Sequence, residues 1–267
     1  GVSAARDGGW IADQAAVAGA GGTPYGIGLM AWALEQAPGQ LDAVLRLGEE
    51  LRPALVSVSF GDIAEPVRRL REAGIRTATQ IGNLRDLAAA LDAGVDVVVA
   101  RGAEAGGHGR NELATLPLLQ LVLARAGDVP VLAAGGIIDH RGVAAVLAAG
   151  AAGAWVGTAF LGCVEAANTA AARQVLFTAE ETGYGRVFDV AQRLGWPREF
   201  GGRALRNDFF ERWAGREDAI DDAAVDELAS AVQSGDYATA HLYAGEGVAA
   251  LREERTAAEV VASLTPR

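Results

Sequence analysis

Short apolar runs alternate with amphipathic stretches over the first 160 residues of this 267-residue chain. Six of the runs are five to seven residues long and largely apolar, which is typical of strands buried on both faces of a parallel sheet. These predicted strands are GIGLM (26–30), ALVSVSF (54–60), GIRTATQ (74–80), VDVVVAR (95–101), VPVLAAG (129–135) and AGAWVGT (152–158). A weaker candidate for a seventh strand is GGWIAD (8–13).

The stretches between these runs carry apolar residues at three- and four-residue spacing, as amphipathic helices do. Examples are LDAVLRLGEEL (41–51), IAEPVRRLREAG (63–74), LRDLAAALDAG (84–94) and RGVAAVLAAG (141–150). The regular alternation of strand and helix predicts a parallel sheet with right-handed crossovers. A doubly wound sheet and a (β/α)8 barrel both fit this alternation.

The residues at the strand ends favour the barrel, because barrels build their sites from the edge at which their strands end. Glycine or a polar residue occupies this place at Gly61, Gln80, Gly102, Gly135 and Gly157. We therefore predict an α/β fold of the TIM type, a (β/α)8 barrel. Since no eighth strand can be recognised, we expect a barrel that is irregular or that lacks its first strand.

The strand–helix alternation stops at about residue 160. Beyond it we predict a helix over 166–182, a loop over 182–213, and two helical stretches over 221–234 and 247–264. We divide the chain into a barrel with the cofactor site (1–160) and a C-terminal helical or lid region packed on the barrel (161–267). The aromatic residues of this region are expected to serve partly as core and partly as lid; they are Tyr184, Phe188, Trp196, Phe200, Phe209, Phe210 and Trp213.

Composition removes several classes of function. The net charge of −11 argues against a nucleic-acid partner, which requires a basic face. The chain has no lysine, so Schiff-base aldolases and pyridoxal-phosphate enzymes are excluded. With Cys163 as the single cysteine and no HExxH motif, we expect neither a disulfide framework nor a metal site. The absence of a long apolar run and of a leader pattern predicts a cytoplasmic protein without a membrane partner.

Two glycine-containing loops follow the last two predicted strands and indicate a phosphate site. Gly135 and Gly136 follow one strand, and Gly157 and Thr158 end the next. Glycine lets backbone N–H groups approach phosphate oxygens, and barrels commonly bind phosphate at these two loops. The alternative is that the glycines only permit tight turns.

A single histidine, His108, lies among glycines directly after the fourth strand, in RGAEAGGHG (101–109). Flanking glycines remove side chains that would keep a flat ligand away from the ring. A neutral imidazole can accept or donate a proton near pH 7. The alternative is an incidental solvent-facing histidine. Nearby, Glu104 either orients His108 or caps a turn.

The other histidines and the cysteine have simpler interpretations. We expect Asp139 to cap a helix, His140 to lie at the surface and Cys163 to be buried, and we assign no role to His241.

Four motifs taken in order, RGAEAGGHG, LPLL, PVLAAGGI and AWVGTAFL, resemble the flavin-dependent nitronate monooxygenase family. The resemblance extends from about residue 24 to residue 161. It implies a TIM barrel that binds FMN non-covalently, with His108 as the catalytic histidine beside the flavin. The cofactor-binding residues that it implies are Gln80, Arg101, Gly106, Gly107, Ala134, Gly135, Gly136, Gly157 and Thr158, the last five around the phosphate.

The implied activity is oxidation of alkyl nitronates by FMN and O2 to a carbonyl compound and nitrite. The implied partners are a small nitronate-like substrate and O2, and the implied assembly is a monomer or a homodimer. Two departures from the family are the absent Ala-Pro-Met segment of the first strand and Gly28, where many members have asparagine. Alternatives are an FMN-dependent enoyl-acyl-carrier-protein reductase that uses NAD(P)H, and a non-catalytic flavin- or phosphate-binding protein.

Overall fold

The computed structural model describes residues 1–266, and its main feature is a parallel sheet of six strands. The order in this sheet is β1-β2-β3-β4-β6-β7. The strands are β1 (Gly26–Met30), β2 (Leu55–Ser59), β3 (Arg76–Ile81), β4 (Val97–Arg101), β6 (Val131–Ala134) and β7 (Gly153–Ala154). All six strands predicted from apolar runs are confirmed, and the last is shorter than predicted. The α/β class with a parallel sheet is confirmed with them.

Two compact units make up the chain. The first comprises Gly1–Ala100 and Val122–Val131. Its helices are α1 (Gly8–Gly19), α2 (Ala31–Leu34), α3 (Gly39–Leu45), α4 (Ala64–Glu72) and α5 (Leu84–Ala93). The helices predicted over 41–51, 63–74 and 84–94 are thus present, the first being shortened and followed by a 3-10 turn at Glu49–Leu51.

Local signals explain the bounds of α5. The Asn83 side chain accepts a hydrogen bond from the Asp86 N–H and caps the start of the helix. Gly94 ends it in the left-handed conformation, at φ +71°.

The prediction of a strand at residues 8–13 is wrong, because this segment begins helix α1. The Asp7 side chain accepts a hydrogen bond from the Trp10 N–H at 2.9 Å and caps the helix. Ile11 and Ala15, four positions apart, are its buried residues. The six residues that suggested a strand are too few to show this helical spacing. Upstream of α1, the Val2 N–H donates to the Gly28 carbonyl of β1 at 2.7 Å.

The second unit comprises Arg101–Leu121 and the chain from Leu132 onward. It contains a three-stranded antiparallel sheet in the order β5-β9-β8, formed by β5 (Gly107–His108), β8 (Thr182–Gly185) and β9 (Gly202–Leu205). Its helices include α7 (His140–Ala148), α8 (Ala170–Thr178), α9 (Val187–Ala191), α10 (Asp208–Trp213), α11 (Asp222–Ser234) and α12 (Ala257–Leu264). The leucine-rich helix α6 (Thr115–Leu123) follows β5 in the chain.

The segment 182–213 is not the loop that the sequence predicts, because β8, α9, β9 and α10 occupy most of it. Each of these elements is four to six residues long, which is too short for a reliable period. Phe188, Phe209, Phe210 and Leu228 pack together as the core of this part of the unit.

The remaining helix predictions hold with changed bounds. The helix predicted over 166–182 is α8, which begins after the Thr169 cap. The stretch 221–234 is α11. The stretch 247–264 is divided into a 3-10 segment, Glu246–Ala250, and α12, whose start carries a reciprocal cap between Thr256 and Glu259. A division of the chain at residue 160 stays a prediction. Within residues 1–266, no helix has the length and apolarity that crossing a membrane requires.

Candidate active site

His108 lies on strand β5, where it is paired with Gly202 of β9. A Cβ at position 202 would be 2.6 Å from the Tyr243 ring and 3.3 Å from His108 Nε2. Only glycine therefore lets β9 pass so close to the histidine. This strand pairing turns a short glycine-rich segment into a fixed support for the imidazole.

The imidazole is hydrogen-bonded to a buried carboxylate. His108 Nε2 is 2.6 Å from Asp189 Oδ1, and the two side chains are 11% and 1% exposed. Asp189 lies on α9 among apolar residues, between Phe188 and Val190. The Tyr243 hydroxyl also donates to Asp189 Oδ1, over a longer 3.4 Å. Among residues 1–266, Asp189 Oδ2 has no hydrogen-bond partner.

Aromatic rings enclose the histidine. The Trp196 ring stacks on it, and the Tyr243 ring lies at 5.0 Å in a tilted orientation. The Tyr184 hydroxyl donates to the Gly109 carbonyl at 2.8 Å and accepts from the Gly201 N–H at 2.9 Å. The expected core role of these aromatic residues is confirmed for Phe209 and Phe210, and their role as a lid stays a prediction.

Arg101, at the end of β4, supports the loop that leads to His108. Its Nη2 donates to the carbonyls of Ala105, Gly106 and Gly107 at 2.9–3.1 Å. The side chain is buried, and burial lowers the pKa of its guanidinium to about 10. The Arg101 guanidinium therefore stabilises the loop through these three hydrogen bonds. Its part in flavin binding stays a prediction.

Glu104 caps a helix rather than orienting the histidine. Its Oε2 accepts from the Thr115 N–H at 2.8 Å and from the Thr115 hydroxyl at 2.7 Å. Thr115 is the first residue of α6. The two alternatives that the sequence left open are resolved, since the carboxylate that holds His108 is Asp189.

The predicted phosphate site lies at the glycine loops after β6 and β7. Gly135 and Gly136 have positive φ, at +120° and +67°. A Cβ at Gly157 would meet no protein atom within 4 Å. Within residues 1–266, no protein oxygen accepts the N–H of Gly136 or of Gly157. The Ala134 carbonyl is already engaged in the protein, because it accepts a hydrogen bond from the Gly102 N–H at 2.8 Å.

Gly245, which the sequence did not single out, lies between the histidine loop and Thr158. Its N–H donates to Thr158 Oγ1 at 2.9 Å. A Cβ on Gly106 would be 2.4 Å from the Gly245 nitrogen. The next N–H, of Glu246, donates to the Glu104 carbonyl at 2.9 Å. The structure therefore joins the His108 loop and the Gly157–Thr158 loop through residues 245 and 246.

Gln80 belongs to the first unit, where it lies half-buried on β3. Its N–H donates to Ser59 Oγ at 2.9 Å. Its proposed contact with a flavin stays a prediction.

Burial shifts the pKa of two further groups near Asp189. It raises the pKa of the Tyr243 hydroxyl, so this group is protonated and can donate at neutral pH. It lowers the pKa of His241, so burial favours the neutral imidazole there. The His241 ring lies 5.5 Å from the Tyr243 ring and 5.8 Å from the Phe188 ring.

A separate cavity of about 410 Å³ lies beside the start of α7 and the C-terminal half of α12. Asp139 caps α7 as predicted, because its carboxylate accepts from the N–H groups of Arg141 and Gly142, and His140 is half-buried next to it. Two of the arginines at this cavity are in ion pairs, Arg141 with Asp139 and Arg255 with Glu253. We assign no ligand to it. The prediction that Cys163 is buried is confirmed.

Three residues of the His108 environment were missed from the sequence: Asp189, Trp196 as a stacking partner, and Tyr243. One signal was present, since Asp189 is a lone acid in the apolar segment VFDVA (187–191). An acid in such a segment is buried at a cost unless it is paired. Nothing local, however, identifies His108 as its partner.

The sequence and the structure are similar to proteins with known names. The chain matches the nitronate monooxygenase family over residues 27–267. The nitronate monooxygenase of Paraburkholderia phytofirmans is 38% identical over 176 residues, which are 62% of this chain and 44% of that protein. The nitroalkane oxidase of Streptomyces ansochromogenes has a TM-score of 0.74 and 29% identity, over 91% of this chain and 80% of the other. FabK of Thermotoga maritima has a TM-score of 0.73 and 25% identity, over 91% and 75%.

The TIM-barrel class predicted from the sequence is confirmed by the family and by these two structures. The chain spans about half of the length of the curated relatives that it matches. The match nevertheless includes His108, both glycine loops and the C-terminal segment with Asp189 and Gly245. The chain belongs to the nitronate monooxygenase family.

Proposed function

We propose that the protein is an FMN-dependent oxidoreductase that converts alkyl nitronates and O2 to a carbonyl compound and nitrite. The observation that carries this proposal is the arrangement in the second unit, where a carboxylate-bound histidine and two glycine loops are joined through Gly245. Membership of the nitronate monooxygenase family and similarity to a nitroalkane oxidase support the reaction class.

The residues present fit a flavin mononucleotide. The N–H groups of Gly136 and Gly157 have no protein acceptor among residues 1–266, and a side chain at Gly157 would fill open space. Unpaired N–H groups in a glycine loop are what a phosphate dianion binds. Gly135, Gly136, Gly157 and Thr158 would hold the phosphate, with Ala134 beside them. A Cβ at Gly107 would meet no protein atom within 4 Å, so Gly107 would leave room for the ring. Gly106 packs against Gly245, so its part in flavin binding, like those of Gln80 and Arg101, stays a prediction.

When bound, FMN supplies the acceptor for the substrate's electrons and the route to O2. The remaining steps fall to the protein. His108 either takes the α-proton of a neutral nitroalkane or, as a cation, holds the anionic nitronate. Trp196 and Tyr243 flank the imidazole and exclude water from it, which strengthens the electrostatic interactions that it makes.

The test is a visible absorption spectrum of the purified protein, with and without added FMN, followed by propionate 3-nitronate under air. We expect flavin bands and then nitrite release. Flavin bands without nitrite would contradict the monooxygenase assignment and favour the reductase, which NADH bleaching of the bands would reveal. Failure to bind FMN, even when it is added, would contradict the cofactor assignment. Cytoplasmic location and a monomeric or dimeric state stay predictions.

A further inference from the structure

We infer that Asp189 is a positioning residue that fixes the proton of His108 on Nε2 and so makes Nδ1 the nitrogen that reacts. The inference rests on the proposed function, in which His108 contacts the substrate. Its geometric part, the state of the imidazole, can be measured without any activity.

The contact between His108 and Asp189 is short and shielded from solvent. The 2.6 Å between His108 Nε2 and Asp189 Oδ1 is short for an N–H···O hydrogen bond and is in the range of charge-assisted pairs. Asp189 is 1% exposed and His108 11%, so water weakens the pair little. An interaction of this kind holds the ring in one orientation.

The other groups that face Asp189 are Tyr243 and His241. The Tyr243 hydroxyl donates to the same oxygen from 3.4 Å, and Oδ2 has no partner in residues 1–266. The neighbouring His241 ring packs on Phe188 and Tyr243. His108 is therefore the strong donor that a buried carboxylate requires, and without it Asp189 would carry a poorly compensated charge.

The proton assignment follows from the chemistry of the two groups. An ionised carboxylate only accepts hydrogen bonds, so the histidine nitrogen facing it must carry a hydrogen. With the hydrogen on Nε2, a neutral His108 has its lone pair on Nδ1. Without the carboxylate, either nitrogen could carry the hydrogen.

This arrangement gives His108 a defined task in proton removal. The C–H bond of the nitroalkane breaks, its electron pair becomes the nitronate, and the proton forms an N–H bond at Nδ1. The Nε2 hydrogen and the charge on Asp189 do not change. Asp189 stabilises the imidazolium that results, as the aspartate of a catalytic triad does, and the same imidazolium can hold the nitronate anion.

The structure also explains why the pair cannot rearrange easily. Trp196 covers one face of the imidazole and Tyr243 lies against it at a tilt. Asp189 is held by α9, whose Val187 and Phe188 are buried in the core of the unit. Ring flipping would require both sides of the pair to move.

The direct test is 15N NMR of the flavin-loaded protein with 15N-labelled histidine. Spectra of the His140→Gln and His241→Gln variants assign the signals. We expect His108 to show a hydrogen on Nε2, as the neutral Nε2–H form or as the imidazolium. A neutral form with the hydrogen on Nδ1 would overturn the inference. This readout does not depend on turnover, so it stands apart from the nitrite test of the proposed function.

The second test uses Asp189→Asn, which keeps the shape but not the charge, with Asp226→Asn on the exposed side of α11 as the control. We expect Asp189→Asn to retain flavin and to lower kcat on a neutral nitroalkane by about tenfold or more. It should also give His108 a mixture of the two neutral forms. Asp189→Glu should recover part of kcat, and Asp226→Asn should change nothing. An unchanged His108 spectrum with kcat within about twofold of the parent would refute the role.

Discussion

The rings of His108 and Trp196 lie face to face, with 3.8 Å between their centroids and 1° between their planes. One face of the imidazole is therefore covered by the indole. A ligand can approach His108 only from the other face or from the ring edge. Since Nε2 is engaged by Asp189, the edge that remains for chemistry is that of Nδ1.

The stack predicts that Trp196 contributes to turnover more than to cofactor binding. Trp196→Ala should lower kcat about tenfold, because the imidazole loses the surface that holds its orientation. Trp196→Phe keeps an aromatic face and should retain most of kcat. Nitrite release at equal flavin content measures both variants. If the alanine variant matched the phenylalanine variant in kcat, the stack would have no catalytic role.

The phosphate assignment predicts that a side chain at position 157 expels the flavin without unfolding the protein. A Cβ there meets no protein atom within 4 Å, and the backbone φ of −121° is not in the left-handed region. Gly157→Val should therefore keep the parent Tm and lose most of its bound FMN. Gly136→Val is a poorer test, because a φ of +67° strains valine.

Gly48→Val is the matched control, since a Cβ at Gly48 also meets no atom within 4 Å and its φ is −61°. It should keep both Tm and flavin. Flavin retained in Gly157→Val would refute the phosphate site.

The Glu104 cap predicts a loss of stability. Glu104→Ala removes the acceptor of the Thr115 N–H and hydroxyl and should lower the free energy of unfolding by about 1–2 kcal/mol. Glu104→Gln retains an oxygen that can accept both bonds and should lose less. Urea denaturation followed by circular dichroism compares the three proteins. Equal midpoints for the alanine variant and the parent would show that the cap adds no stability.

Burial of His241 predicts that stability falls on mild acidification. Its pKa is lowered in the folded protein, so below about pH 6.5 the unfolded chain binds the proton more readily. The free energy of unfolding should therefore decrease as the pH falls from about 7 towards 5. His241→Phe keeps an aromatic ring beside Phe188 and should reduce this decrease. Parallel pH curves for the two proteins would contradict the prediction.

The sequence predicted the parallel strands and the glycine loops, because both depend on residues that are close together in the chain. Buried parallel strands are apolar on both faces, so all six appear as short apolar runs, and the glycine loops lie directly at their ends. The segment GGWIAD (8–13) was wrongly predicted as a strand because it is shorter than two helical turns. The cap that Asp7 provides can be recognised only when the full helix α1, Gly8–Gly19, is considered.

The partners of the histidine could not be predicted in this way. Asp189 is 81 positions from His108, and the two meet because β5 pairs with β9 while α9 lies between β8 and β9 in the chain. Tyr243 and Gly245 come from a third segment. Contacts between residues so far apart in the chain form only when the whole unit folds. Patterns of apolar and polar residues reveal only the local helix or strand.

In the proposed function, His108 acts on a nitronate or nitroalkane beside bound FMN. The most direct measurement compares the rate of nitrite release by the parent protein and by His108→Ala at the same flavin occupancy, determined from the absorption spectrum. We expect nitrite release by the parent, and we expect the variant to keep its flavin and to release nitrite at least about tenfold more slowly. Equal rates in the two proteins would contradict the role of His108, and no nitrite from the flavin-loaded parent would contradict the reaction itself.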